Sequence, residues 1–307
     1  MYPNINSGIG QRLASAAIDN AMLSNPTTGR VFIVAKSGIT NESEIKALYG
    51  NNYPDGTPVI FTTLTLSLAS CVASRGDLII VAPGHTETIT AAAGVAIATA
   101  GVTIVGLGKG SLRPTYTFTT VVGASFDISA ANTYIQNIVF VNGIDNQTAI
   151  NNVTGADVTF DSCEWRISDG TNGAAIGILT AATATRLKVV KSRFVGPAIN
   201  AGTTLAAAIQ HESGTDYVIE DNYFAGKMTQ AIKNVATVLR GLIHRNNFVI
   251  GTGTVAVTMA AASTPFIVNN SINVPSGTAP VVAAAGFVAK NSYSAAAGVT
   301  SGTASTF

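Results

Sequence analysis

The chain has 307 residues, 47% of them hydrophobic and only 11% charged, and Lys plus Arg (17) nearly cancels Asp plus Glu (16) to leave a formal net charge of +1. A nucleic-acid binder needs a basic surface to neutralise phosphates, which this composition cannot build. Two cysteines, Cys71 and Cys163, are too few and too far apart for a disulfide-stapled secreted scaffold, and read as two buried free thiols.

The first 28 residues stand apart. MYPNINSGIGQR has no basic stretch followed by an apolar run, so no signal peptide is expected. Ser7 is placed to cap a helix running to about Ser24, stopped at Asn25-Pro26, with Ile9, Leu13, Ile18 and Met22 roughly on one side. Segment 1–28 then reads either as a helix packed on the base of the fold or as an arm that engages a neighbouring subunit. Further on, 65–75 (TLSLASCVASR) has helical spacing at Leu66, Leu68, Cys71 and Val72. A helix there would plug the open N-terminal end of a stacked fold.

Segments 77–82 (DLIIVA) and 101–107 (GVTIVGL) read as strands closed by Gly and Pro. No charge falls between Glu87 and Lys109, but this stretch carries a single Leu among several Thr and Gly. A membrane helix would be dominated by large aliphatics, so buried strands and turns are the better expectation.

From residue 133 onward a repeat sets the architecture. TYIQNIVF (133–140), VTFDSCEW (158–165), LKVVKSRF (187–194), YVIEDNYF (217–224), GLIHRNNF (241–248), PFIVNNSI (265–272) and GFVAKNSY (286–293) align without gaps. The third place is always apolar and the eighth always large and apolar: Phe140, Trp165, Phe194, Phe224, Phe248, Ile272 and Tyr293, at spacings of 25, 29, 30, 24, 24 and 21. Leucine-rich repeats lack this frame and propeller blades are longer, whereas a β-helix coil fits. The fold class expected is all-β: a right-handed single-stranded parallel β-helix with a short N-terminal helical segment and a capping helix. Segment 1–28 is expected to anchor or oligomerise. Residues 29–307 form the β-helix domain, with an N-terminal cap over about 29–75 and the solenoid proper from about Asp77 to Tyr293.

The sixth place carries Cys163, Ser192, Asn222, Asn246, Asn270 and Asn291. Asn tolerates the left-handed backbone of a sharp bend, and its amide can bond to the same group one coil away. The four Asn are therefore expected to stack as a ladder at one turn.

Candidate chemistry is sparse. The fourth place pairs Glu220 with His244, the fifth runs Lys191, Asp221, Arg245, and the seventh pairs Glu164 with Arg193. Glu220 and Asp221 as acid and base, with His244 or Arg245 stabilising an anion, would make a catalytic stripe. Cross-strand charge pairing explains the same residues without catalysis, and is the reading adopted. Tyr223 at the seventh place is the aromatic expected outside the core. GLGKGS (106–111) lacks the spacing of a phosphate loop and reads as turn glycines. His85, His211 and His244 occur singly, without the spacing of a zinc site. No catalytic, cofactor-binding or metal residue is assigned, and no cofactor is expected.

GDLIIVAPGHTETI (76–89), AGVTIVGLGKGSLRPTYTF (100–118) and NTYIQNIVFVNGID (132–145) together resemble a family of β-helix proteins encoded in tailed-phage genomes, often labelled pectate-lyase-like and often near head genes. The resemblance spans roughly residues 30 to 250. It implies a non-enzymatic virion structural protein made in the host cytoplasm, most simply a capsid decoration or cement protein on the head surface. The expected partners are copies of itself, as a homotrimer, and the major capsid protein or another virion protein through 1–28. A host surface glycan is a further partner under the alternative, a tail spike or fibre that binds or cleaves polysaccharide. Neither nucleic acid nor membrane is expected as a partner. The pectate-lyase label reports the solenoid and not an activity. The tail 295–307 is too short for a spike's C-terminal folding domain.

Overall fold

In the computed structural model, which describes residues 29–36, 42–49, 52–167, 173–197, 205–251, 255–260, 262–274, 280–282 and 286–294, the chain winds through three sheets in turn. One coil runs from Leu78–Val81 in sheet I, through Thr86–Ile89 in sheet II and Val95–Ile97 in sheet III, and returns to sheet I at Thr103–Gly106. Every ladder within the three sheets is parallel, and sheet II has nine strands, one per coil. This is a single-stranded parallel β-helix of about nine turns.

The third and eighth places of the repeat point inward as expected in the first six units; in the last, Val288 is only partly buried and Tyr293 is 37% exposed. Ile135, Phe160, Val189, Ile219, Ile243 and Ile267 have no exposed surface. The eighth places stack ring on ring: Trp165 on Phe194 at 4.4 Å and 5°, Phe194 on Phe224 at 4.9 Å and 7°, and Phe224 on Phe248 at 4.8 Å and 7°. Such offset stacks contribute roughly 0.5–1.5 kcal/mol each beyond the area they bury. Toward the N-terminus the column passes through Phe140 and Tyr116 and ends on Glu87. There a carboxylate replaces a ring because the cap needs an acceptor. Glu87 Oε1 takes the backbone N–H of Leu64 at 2.6 Å and lies 2.7 Å from His85 Nε2.

The expected capping helix is present but shorter than the spacing suggested. It spans Leu64–Leu68, capped by the Thr63 hydroxyl, and its buried residues are Leu64, Ser67 and Leu68. Leu66 and Val72, two of the four apolar residues that suggested a longer helix, are about half exposed. The helix cannot continue because the Val72 N–H bonds to the Asp77 carboxylate at 2.8 Å instead of to a helical carbonyl. Asp77, fully buried, also receives the Arg75 guanidinium at 2.6 and 2.8 Å and the Arg30 N–H at 2.9 Å. A second helix, Glu42–Tyr49, was not expected.

Sheet I also begins earlier than Asp77. Val31–Val34 pairs in parallel with Leu78–Val81, and Ile60–Phe61 pairs on its other side. These first rungs are apolar on both faces. Phe32, Val34, Ile79 and Val81 join the main core, while Ile33, Leu78, Ile80 and Val105 form a second cluster outside it with Val59 and Leu107. The uninterrupted apolar run DLIIVA has this cause. Cys163 is buried, but Cys71 is only partly so; both are free thiols, pushed up to about 12 by burial. The predicted helix in 1–28 and the tail 295–307 lie outside the described residues.

The asparagine ladder forms at the turn between sheets I and II. The Oδ1 of Asn246 accepts both the backbone N–H and the side-chain amide of Asn222, each at 3.0 Å. Asn270 does the same for Asn246, at 2.9 and 3.0 Å, and Asn291 for Asn270, at 2.9 Å for both. Each Nδ2 also donates to the third-place carbonyl of the preceding coil, as Asn246 does to Ile219 at 2.8 Å. The Ser192 hydroxyl continues the column by accepting the N–H of Cys163 at 3.0 Å.

The left-handed conformation, however, does not belong to the Asn residues. It falls one place earlier, on Asn137, Ser162, Lys191, Asp221, Arg245, Asn269 and Lys290, all with φ between 50° and 58°. The sixth-place residue is selected for its side-chain acceptor, and the residue before it absorbs the bend. Replacing Asn246 by Ala is expected to cost about 1–3 kcal/mol, because it leaves the buried Asn222 N–H without its acceptor and removes the amide bond to the Ile219 carbonyl. Denaturant titration checks this, and an Asn246→Asp variant should lose at least as much at neutral pH, because its buried carboxylate would face the Ile219 carbonyl and Asn270 Oδ1, both acceptors.

Candidate functional site

The charged residues singled out by the repeat meet on the outer face of sheet I and its border. Strand register sets Glu220 beside His244, and the left-handed turns set Asp221 beside Arg245. His244 Nδ1 lies 3.0 Å from Glu220 Oε1, and its Nε2 lies 3.0 Å from the amide of Asn269. The Arg245 guanidinium grips Asp221 through Nε and an NH2 group at 2.8 and 2.9 Å, and the same NH2 group reaches Glu220 at 2.8 Å. The guanidinium beside Asp221 holds that carboxyl below its ordinary range.

Chemically this is a clamp joining successive rungs. A general acid or base needs a lone pair or proton directed at a substrate. Here the two carboxylates share one guanidinium, and both imidazole nitrogens already have partners within the chain.

The expected partnership of Glu164 with Arg193 is not made, although the two lie opposite each other in register. Glu164, nine-tenths buried, instead binds Arg113 NH1 and Arg166 Nε, each at 2.8 Å. Arg193 lies over the Tyr223 ring at 5.4 Å, so the aromatic expected outside the core is half-buried under a guanidinium. Arg113 reaches across two rungs because its remaining donors are also needed inside. They go to Asn137 Oδ1 at 2.8 Å and to the Ser162 carbonyl at 2.7 Å. Asn137 in turn donates to the carbonyls of Gly106 and Gly108 at 2.8 and 3.1 Å. The GLGKGS segment is thereby fixed as a turn; a Cβ on Gly108 (φ 104°) would lie 2.3 Å from the Leu112 carbonyl oxygen.

A second column of left-handed residues, unforeseen from the repeat frame, borders the other side of sheet I. It runs Asn132, Asp157, Arg186, Asp216, Arg240. Its charges alternate in sign and pair: Arg186 with Asp157 at 2.6 Å, and Arg240 with Asp216 at 2.6 Å. The signal lies in the residue that immediately precedes each repeat unit.

The three histidines are indeed apart. His85 serves the cap and His244 the clamp. His211 is inside the solenoid, its Nδ1 3.1 Å from the Thr180 hydroxyl and its ring stacked on Tyr217 at 4.5 Å. Among the described residues no group of three or more His, Cys, Asp and Glu could hold a metal ion, and no helix is long and apolar enough to cross a membrane. The chain matches no family model, no curated protein and no solved structure.

Proposed function

We propose that this chain is a non-enzymatic structural protein of a tailed-phage particle, decorating the head surface, held there through segment 1–28 and assembled with copies of itself, three on the resemblance stated above. The observation that carries the non-enzymatic reading is the use made of the charged side chains. Glu220, Asp221, His244 and Arg245 bridge rungs of the solenoid, as do Asp157, Arg186, Asp216 and Arg240. The particle assignment rests on the resemblance of 76–118 and 132–145. A rigid rod of stacked coils suits a protein that must persist on an exposed surface, since its interior columns are filled by one chain.

Deleting 1–28 tests the anchor. The truncated rod should keep its β-sheet circular dichroism and lose binding to purified particles in a co-sedimentation assay. Full occupancy by the truncated protein would place the anchor elsewhere, whereas a full-length chain that fails to bind particles would overturn the particle reading.

A further inference from the structure

The outer face of sheet I changes character along the solenoid axis. At the second place of the repeat, successive rungs present Thr159, Lys188, Val218, Leu242, Phe266 and Phe287 in register. The last four form an apolar stripe in which Phe266 is 55% exposed and its ring lies 5.9 Å from that of Phe287. A phenyl ring so far out of the core is unfavourable in water unless something covers it. The surroundings decide what kind of partner fits. Residues 246–289 carry no Asp, Glu, Lys or Arg, so this end of the face offers no charge to an ionic partner. The charged columns on its borders are already neutralised within the chain, Asp216 by Arg240 and Asp221 by Arg245.

We infer that this stripe is the surface on which a second copy of the chain sits. The inference rests on the self-assembly part of the proposed function and names its contact face. An apolar centre with a polar rim is the anatomy of interfaces between copies of one chain. A copy also repeats at the same rung spacing, about 4.8 Å, so its side chains can seat between those of the stripe along the whole face. The stripe spans six residues from border to border and four rungs along the axis. That is about 20 Å by about 19 Å, or roughly 400 Å² per copy, the size of a weak contact between copies.

Sedimentation velocity of the full chain across the micromolar range tests this. Wild type should move from the 31.3 kDa monomer to a multiple of that mass as concentration rises. Phe266→Asp should remain monomeric, and the milder Leu242→Ser should shift the midpoint to at least about tenfold higher concentration. Leu112→Asp, at a residue 57% exposed on a distant turn, should associate like wild type. Circular dichroism and melting confirm that each variant folds; if Phe266→Asp does not, Leu242→Ser decides. A wild-type chain that stays monomeric refutes self-assembly and this face together. An oligomer that survives both stripe variants leaves self-assembly standing and refutes the face.

Discussion

Truncating Glu164 to Ala should destabilise the solenoid by about 3–5 kcal/mol, the usual consequence of removing one partner of a buried ion pair. Glu164 is 9% exposed and the Arg113 side chain 15%, so the guanidinium left behind cannot recover its hydration without opening the turn between sheets I and II. Arg113 also holds Asn137 and the Ser162 carbonyl, and Asn137 holds the Gly106–Gly108 turn. The damage should therefore extend over three rungs. The double variant Glu164→Ala/Arg113→Ala should be more stable than the sum of the single losses predicts, because the unpaired charge is gone. Denaturant titration of the four proteins gives the coupling. A single loss below about 1 kcal/mol, additive in the double variant, would show that the clasp is ornamental.

Acid should weaken the fold in a window set by His211. Burial without a counter-charge lowers this imidazole from 6.5 to about 4. Folding therefore favours the neutral form. The associated stability is fully present above pH 6.5 and is lost as pH falls from there through about 4, a total of about 3 kcal/mol. The carboxylates of Asp157, Asp216 and Asp221 are held below their ordinary values by Arg186, Arg240 and Arg245, so these ion pairs survive through most of that window. Comparing wild type with His211→Gln at pH 7.5 and pH 4.5 isolates the effect. Wild type should lose more stability than the variant between the two conditions; equal losses would mean that His211 is not buried as described.

How far the sequence revealed this molecule depended on periodicity. The aromatic column from Phe140 to Phe248 and the ladder from Asn222 to Asn291 were legible because each residue recurs at one place in a gapless frame. The column Asp157, Arg186, Asp216, Arg240 recurs just as strictly, and escaped only because it precedes the first aligned place. The left-handed turn was assigned to the Asn residues when it belongs to their predecessors, such as Lys191 and Arg245, whose side chains announce no conformational preference. What could not be read was aperiodic. Arg113 and Glu164 lie 51 residues apart and meet across two rungs. The apolar outer face at Ile33, Ile80 and Val105 arises where only the first rungs carry a second cluster.

The proposal that the chain is non-enzymatic turns on Glu220 and Asp221. In sequence these two carboxylates allow an acid–base reading beside the charge pairing adopted, and in the structure one guanidinium engages both. Incubating the purified full-length chain with acidic and neutral polysaccharides, and assaying unsaturated and reducing ends, tests the non-enzymatic proposal. Neither should accumulate above a protein-free control. Release of new ends by the wild type that disappears in Glu220→Gln would overturn the proposal and favour the alternative of a polysaccharide-cleaving spike.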